Sequence, residues 1–334
     1  MQWHLPITFK DSVNKINYQN KILLVGSCFT EHMGNGLKEL KFDVLQNPHG
    51  ILFGLDAICK ALEDYISNKK YTTQDLFQLN SVWNNWDYHS AYSSTDSSQA
   101  LSQMNDSIEK AHAFLKQTDY LILTLGSSFC YRLTNQAMVA GKCVGDTVAN
   151  CHRAPASWFK KELLPIEIMV TRLTKCLQAI RQLNPSLQTI ITVSPVRHIR
   201  DGVQENNRSK ARLFETIQQL EEKGVSINYF PAYEIVIDVL RDYRFYDIDL
   251  VHPNFAATEY VIEQFLNTWL ESETLELSGQ IKKLRTAYRH RPQHASSSQH
   301  QSFKQQQYQR VLDLKSLIPF LDFSEELAHF SSSS

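Results

Sequence analysis

No stretch of this chain is long and apolar enough to cross a bilayer, which takes roughly 20 consecutive apolar residues. The first residues, Met1-Gln2-Trp3-His4-Leu5-Pro6-Ile7, lack the basic start and apolar core of a secretory leader. Neither sign of charge dominates, with 34 Lys and Arg against 35 Asp and Glu for a net charge of -1. A general pull toward nucleic acid or an anionic membrane surface is therefore missing. The six cysteines, Cys28, Cys59, Cys130, Cys143, Cys151 and Cys176, form no CxxC pair and no dense framework. Reduced thiols are expected rather than disulfides, and no second ligand pair at zinc-like spacing supports a metal centre. These absences predict a cytoplasmic protein with no cofactor, no metal, no nucleic-acid partner and no membrane span.

The composition of the 334 residues, 43% hydrophobic and 21% charged, is that of a globular protein with room for one large domain, or a domain plus an appendage. Apolar periodicity alternates between strand and helix, the mark of a parallel sheet with helices on both faces. Strands are predicted over Lys21–Val25, Phe42–Leu45, Tyr120–Leu125, Thr189–Val193 and Ser226–Tyr229. Helices are predicted over Glu31–Leu40, Phe53–Ser67, Leu101–Lys116, Leu163–Leu183, Asn207–Lys223, Pro231–Leu240 and Thr258–Glu271. In the fourth of these, Ile166, Met169, Val170, Leu173, Leu177 and Ile180 recur at helical spacing and give one buried face.

Two stretches interrupt the alternation. Tyr71–Ser98 carries Trp83, Trp86 and Tyr88, and Cys130–Phe159 holds two strand-like pieces around a polar turn at Thr134-Asn135-Gln136. Insertions after the carboxyl ends of strands commonly build substrate walls, whereas the aromatics read equally well as a satellite core. After Gly279 the chain turns rich in Gln, Ser, His and Arg before a last apolar set from Val311 to Leu321. This predicts a first domain over residues 1–279, then over 280–334 a polar connector and a terminal helical hairpin whose end, Ser331–Ser334, frays.

The residues that carry chemistry begin with Lys21-Ile22-Leu23-Leu24-Val25-Gly26-Ser27-Cys28-Phe29, a buried strand running into a hydroxyl and a thiol. A strand-to-helix turn fixes such a side chain at the carboxyl edge of a sheet, beside the unpaired N–H groups that open the helix. Ser27 is a candidate nucleophile, with helix capping as its structural alternative. Cys28 competes, because thiols at helix starts are activated, but one residue further on it is expected to turn toward the sheet and pack.

In Asp247-Ile248-Asp249-Leu250-Val251-His252-Pro253-Asn254, Asp249 stands three residues before His252, a spacing that lets the carboxylate fix the imidazole tautomer. Asp247 is the second choice of partner. Loops at the carboxyl edge of a doubly wound sheet converge over one crevice, so Ser27 and His252 can meet there. Acyl transfer also needs donors for an oxyanion, and the N–H groups of Ser27 and Gly50, the latter in Asn47-Pro48-His49-Gly50, are candidates.

The ordered motifs Gly26-Ser27-Cys28-Phe29, Asn47-Pro48-His49-Gly50, Leu123-Thr124-Leu125-Gly126-Ser127, Asn150-Cys151-His152, Ser194-Pro195-Val196-Arg197-His198, Tyr229-Phe230-Pro231-Ala232-Tyr233-Glu234 and Arg241-Asp242-Tyr243-Arg244-Phe245-Tyr246 through His252 together resemble the bacterial GSCFA-domain family. That family looks like a branch of the SGNH, or GDSL-like, hydrolases, and the resemblance runs from about Pro6 to about Gly279. It implies Ser27 as nucleophile, Gly50 as a glycine donor, and Asp249 with His252 as the Asp-x-x-His element. The wider superfamily has an asparagine donor in its third block. Here Gly126-Ser127-Ser128 has none, so that donor is missing or falls to Ser127, Ser128 or Asn150.

The expected architecture is a three-layer α/β/α sandwich with a mainly parallel, five-stranded, SGNH- or flavodoxin-like sheet and a C-terminal helical appendage. The expected function is that of a serine-dependent ester hydrolase or acyltransferase acting on O-acyl, such as acetyl, groups of a carbohydrate or cell-wall glycan precursor. The alternatives are a non-catalytic carbohydrate-binding protein on the same scaffold and a Cys28-dependent enzyme. His49, His152, Arg197, His198 and Trp86 are candidate substrate contacts. Arg197 and His198 belong to a basic stretch that runs on through Arg208 and Lys210 and otherwise reads as a solvated loop and helix start.

Overall fold

In β1 (Lys21–Gly26), Ile22, Leu23, Leu24 and Val25 are all fully buried, the pattern of a strand covered on both faces. It pairs in parallel with β2 (Asp43–Gln46) on one side and β5 (Tyr120–Leu125) on the other. Beyond β5 come β9 (Gln188–Val193) and a short edge strand β10 (Asn228–Tyr229), again parallel, so the five-stranded order is β10-β9-β5-β1-β2. The computed structural model describes residues 5–9, 14–294 and 296–331. Met1–His4 lie outside the described residues, and of the end expected to fray over Ser331–Ser334, Ser331 closes a helix while residues 332–334 lie outside them.

Alternate strand side chains sort onto opposite faces and so define two cores. Ile22, Leu24, Ile122 and Ile190 pack toward α1 (Cys28–Glu39), α7 (Phe255–Trp269) and α8 (Ser272–Arg289). Leu23, Val25, Leu123 and Val193 pack toward α2 (Leu55–Ser67), α3 (Ser97–Leu115), α4 (Ile166–Leu183) and α5 (Val203–Glu222). The result is the expected α/β/α sandwich around a five-stranded parallel sheet.

Some elements differ from their predicted form. Leu163 belongs to a strand, β8 (Phe159–Leu163), and α4 begins only after Pro165. The segment predicted as one helix from Pro231 is a single turn, α6 (Ala232–Glu234), running into a π-helical stretch Ile235–Leu240. The two insertions fold apart from the main sheet. The first contains a hairpin of β3 (Phe77–Leu79) and β4 (Val82–Asn84), while β6 (Phe129–Leu133), β7 (Thr147–Val148) and β8 form an antiparallel three-stranded sheet.

The domain boundary expected between residues 279 and 280 falls inside α8, a continuous helix with no break there. Beyond it, α9 (Ser298–Leu317) and α10 (Ser324–Ser331) form the terminal hairpin. Val311, Leu314, Ile318, Phe323 and Phe330 join the same apolar cluster as Phe29, Val261 and Phe265 of the main body. Glu326, fully buried on α10, is held between Lys41 and Arg285, each 3.0 Å away.

Candidate active site

The turn after β1 depends on Gly26. Its φ of +153° is open to glycine, and a Cβ there would stand 2.3 Å from the Thr124 carbonyl of β5. Ser27 then takes the N-cap position of α1 with extended backbone but makes no side-chain capping bond. Its hydroxyl instead donates to Ser194 Oγ at 3.0 Å, just beyond β9, and the residue is 1% exposed. Neighbouring Cys28 packs into the α1/α7 core, and burial pushes its thiol up rather than toward thiolate.

The residues expected to donate to an oxyanion have other partners. Ser27 N–H points at the Thr124 carbonyl, 3.4 Å away, and Gly50 N–H closes a tight turn onto Asn47 O at 2.7 Å. Ser128 is fully buried, with its N–H and hydroxyl both on Ser209 Oγ at 2.8 and 3.2 Å. Asn150 turns its side-chain oxygen onto the N–H of His152 at 2.8 Å. The buried side chain of Asn47, which the sequence did not single out, accepts from Gly26 N–H at 2.9 Å, and its amide nitrogen has no partner among the described residues. A buried donor left unpaired costs about 1–3 kcal/mol, so its place beside the Ser27 turn carries meaning.

Asp249 and His252 meet as their spacing predicts. Asp249 Oδ2 lies 2.6 Å from His252 Nδ1, while Oδ1 accepts from the N–H groups of Val251 and His252 at 2.9 and 3.0 Å. The hydrogen bond to His252, helped by those two N–H groups, holds the Asp249 carboxyl down at about 2. Asp247 contributes only backbone, its N–H donating to His252 O at 2.8 Å. With Nδ1 engaged, Nε2 is the imidazole nitrogen left for chemistry.

Asp249 and His252 line a cavity of about 620 Å³ at the carboxyl edge of the sheet, together with Phe53, Tyr131 and the segment from Val196 to Arg200. Ser27 is not in its wall. The hydroxyl is one partner removed, through Ser194, whose Oγ accepts from the N–H of cavity-lining Val196 at 3.3 Å. Arg197 and His198 do face this cavity, joined by Arg200 of the same basic stretch and by Asp56 and Thr147, which the sequence reading passed over. The second insertion supplies part of the wall through Cys130, Tyr131, Thr147 and Val148, and the first supplies none of it.

Three expected substrate contacts are corrected by this geometry. His49 is fully buried, stacked on Tyr88 at 4.0 Å with Nδ1 3.0 Å from the Tyr65 hydroxyl, and burial lowers its pKa. His152 spans Asn85 O at 2.7 Å and Ser90 Oγ at 3.1 Å, with burial pushing it down to about 4. Trp86 is 1% exposed, stacked on Phe77 at 3.8 Å, and donates its indole N–H to Met138 O at 2.9 Å. All three brace the insertions, which therefore carry satellite cores rather than an aromatic sugar platform.

Lys210 corrects the reading of a solvated basic stretch. It is fully enclosed, and its amine donates to Gly126 O and Ser194 O, both at 2.7 Å, where β5 and β9 end. Burial pushes it down to about 7. Its place was visible as a continuation of the buried α5 stripe through Leu213, Ile217 and Leu220.

No curated protein matches the chain. Among solved structures, an acetyl xylan esterase from the rumen bacterium Butyrivibrio proteoclasticus is similar at 14% identity and a TM-score of 0.35, over 75% of this chain and 63% of that one, so the match spans less than two thirds of that enzyme. The pattern of the GSCFA family matches residues 21–265, and that of the GSCFA domain protein C-terminal domain matches residues 281–333. This chain belongs to the GSCFA family.

Proposed function

We propose that the protein is a serine-dependent ester hydrolase or acyltransferase working at the carboxyl edge of the sheet, on O-acyl groups carried by a carbohydrate. The observation that carries this reading is the Asp249–His252 pair, 2.6 Å apart in the wall of a substrate-sized cavity. His252 Nε2 takes the Ser27 proton, Ser27 Oγ attacks the ester carbonyl, and the alcohol leaves with that proton. Water or a second hydroxyl then releases the acyl group by the reverse path. The unpaired amide of Asn47, held against Gly26, is the donor best suited to the oxyanion, since Gly50 N–H is spent on its own turn. Attack requires the Ser27 hydroxyl to exchange Ser194 for His252, the kind of tightening that unliganded sites undergo on binding substrate.

The test is labelling with a fluorophosphonate probe alongside turnover of acetylated sugars. Ser27→Ala is expected to abolish both, and His252→Ala to lower turnover by at least about 10³-fold. Labelling that persists in Ser27→Ala overturns the serine mechanism.

A second reading, a binding protein without turnover, is favoured by one specific observation: Ser27 is 1% exposed and stands outside the cavity wall. It predicts sugar-ester binding unchanged in Ser27→Ala and His252→Ala, with no product formed by the parent protein.

A further inference from the structure

Among the described residues the cavity is lined by two carboxylates and two guanidinium groups, equal in number but not paired with one another. Its two carboxylates are occupied: Asp249 by His252 at 2.6 Å, and Asp56 by Arg172 at 3.2 Å and by the Thr147 hydroxyl. Two guanidinium groups, of Arg197 and Arg200, line the same space, and neither has a carboxylate partner among the described residues. His198 adds an imidazole, set edge-on to Phe53 with ring centroids 5.5 Å apart.

Arg197 is built into place. Its backbone N–H donates to Val251 O at 3.2 Å and its Nη1 to Leu250 O at 3.3 Å, so it is tied to the loop that presents Asp249 and His252. The guanidinium carbon sits 4.3 Å over the Tyr246 ring and 5.4 Å from the Tyr243 ring. Stacking on two rings keeps the charge while fixing the plane, which is the preparation a guanidinium needs to grip a planar oxyanion through paired N–H groups. Arg200, by contrast, is exposed on the short 3₁₀ turn Ile199–Asp201. Arg197 is thus a fixed cation tied to the loop that carries His252, and Arg200 is an exposed one lining the same cavity.

We propose that the ligand of this cavity carries an ionised oxyanion group beside its ester, held by Arg197 and drawn in by Arg200. The substrate class is thus a carboxylate-bearing acyl ester, rather than a neutral acetyl ester alone. This deepens the proposed function and rests on the cavity being the place where the ester binds.

The experiment compares 4-nitrophenyl hemiglutarate with 4-nitrophenyl valerate, whose acyl chains match in length and differ in the terminal charge. In parallel, monomethyl glutarate and methyl valerate are titrated calorimetrically into Ser27→Ala, which reads binding without turnover. The expected result is a preference of about tenfold or more for the anionic ester in kcat/KM and for the anionic ligand in Kd, shrinking as salt rises. Arg200→Gln, an exposed change that leaves the fold undisturbed, is expected to cut the preference several-fold. Arg197→Gln is expected to bring it near parity, with Arg197→Lys restoring only part. Equal binding of the charged and neutral ligands by Ser27→Ala overturns the proposal. Selective anion binding with no turnover of either ester sustains it while removing the hydrolase reading.

Discussion

Lys210 shows how much one buried side chain constrains the protein. A neutral amine has two N–H donors, and the carbonyls of Gly126 and Ser194 take both, with no carboxylate near enough among the described residues to pair an ammonium. Burial lowers its pKa from 10.5 to about 7, so between those values the unfolded chain binds a proton that the native protein does not. Stability then rises with pH from about 7 to about 10, by at most about 1.4 kcal/mol per pH unit, and below about 7 this contribution is constant. Urea denaturation at closely spaced pH values across that window is expected to show the slope in the parent protein and its loss in Lys210→Met. A slope that survives the substitution removes the neutral-amine account. Local spacing hinted at this burial through the α5 stripe, yet a lysine is ordinarily solvated even on the apolar side of a helix. Only the ends of β5 and β9, brought together by the sheet, provide its two acceptors.

Among the elements, the β1-to-α1 turn sets the strictest local demand. A Cβ on residue 26 would lie 2.3 Å from the Thr124 carbonyl, backbone that cannot easily give way, and 2.9 Å from the Thr30 side-chain Oγ1. Gly26→Ala is expected to cost about 2–3 kcal/mol in chemical denaturation and to displace Ser27 from Ser194. Wild-type stability in that variant would place the strain elsewhere. The strands were legible from the sequence because apolar runs such as Ile22 to Val25 have one sensible reading between two layers of helices. The insertions were not, since Trp86 and His152 look the same in sequence whether they face a ligand or each other's loops. Their burial was decided by Phe77 stacking on Trp86 and by Asn85 O meeting His152.

For the molecule as a whole, the C-terminal helices are part of the core rather than a tethered addition. Phe323 and Phe330 of the terminal hairpin are 1% and 3% exposed within the cluster that also holds α1 and α7. Burying each such ring contributes about 1.5–3 kcal/mol, so losing the set approaches the whole margin of about 5–15 kcal/mol by which domains are stable. Ending the chain after α8 is expected to give aggregated or unfolded protein by size exclusion and circular dichroism, and Phe323→Ala to cost about 3–4 kcal/mol. A truncated chain that stays monomeric with an unchanged melting temperature would show the hairpin to be dispensable. The polar composition after Gly279 belongs to the solvated faces of α8 and α9 and to the segment between Arg289 and Ser298 that joins them. Their buried residues, Ile281 and Leu284 on α8 and Val311 and Leu314 on α9, are too thinly spread to stand out in composition.

Periodicity along the chain was enough to specify the five parallel strands, most of the helices between them, and the Asp249–His252 pair, because each depends on neighbours a few residues apart. What depends on packing between distant segments lay beyond it. The partner of Ser27 is Ser194, the Gly50 N–H is consumed by its own turn, and Asn47 holds the unpaired amide beside Gly26. The cavity wall is likewise assembled from the loops after β2, β5 and β9 and from the turn that carries His252. A side chain's chemistry is set by which groups remain unpaired around it, and that count closes only when the sheet has brought its strand ends together.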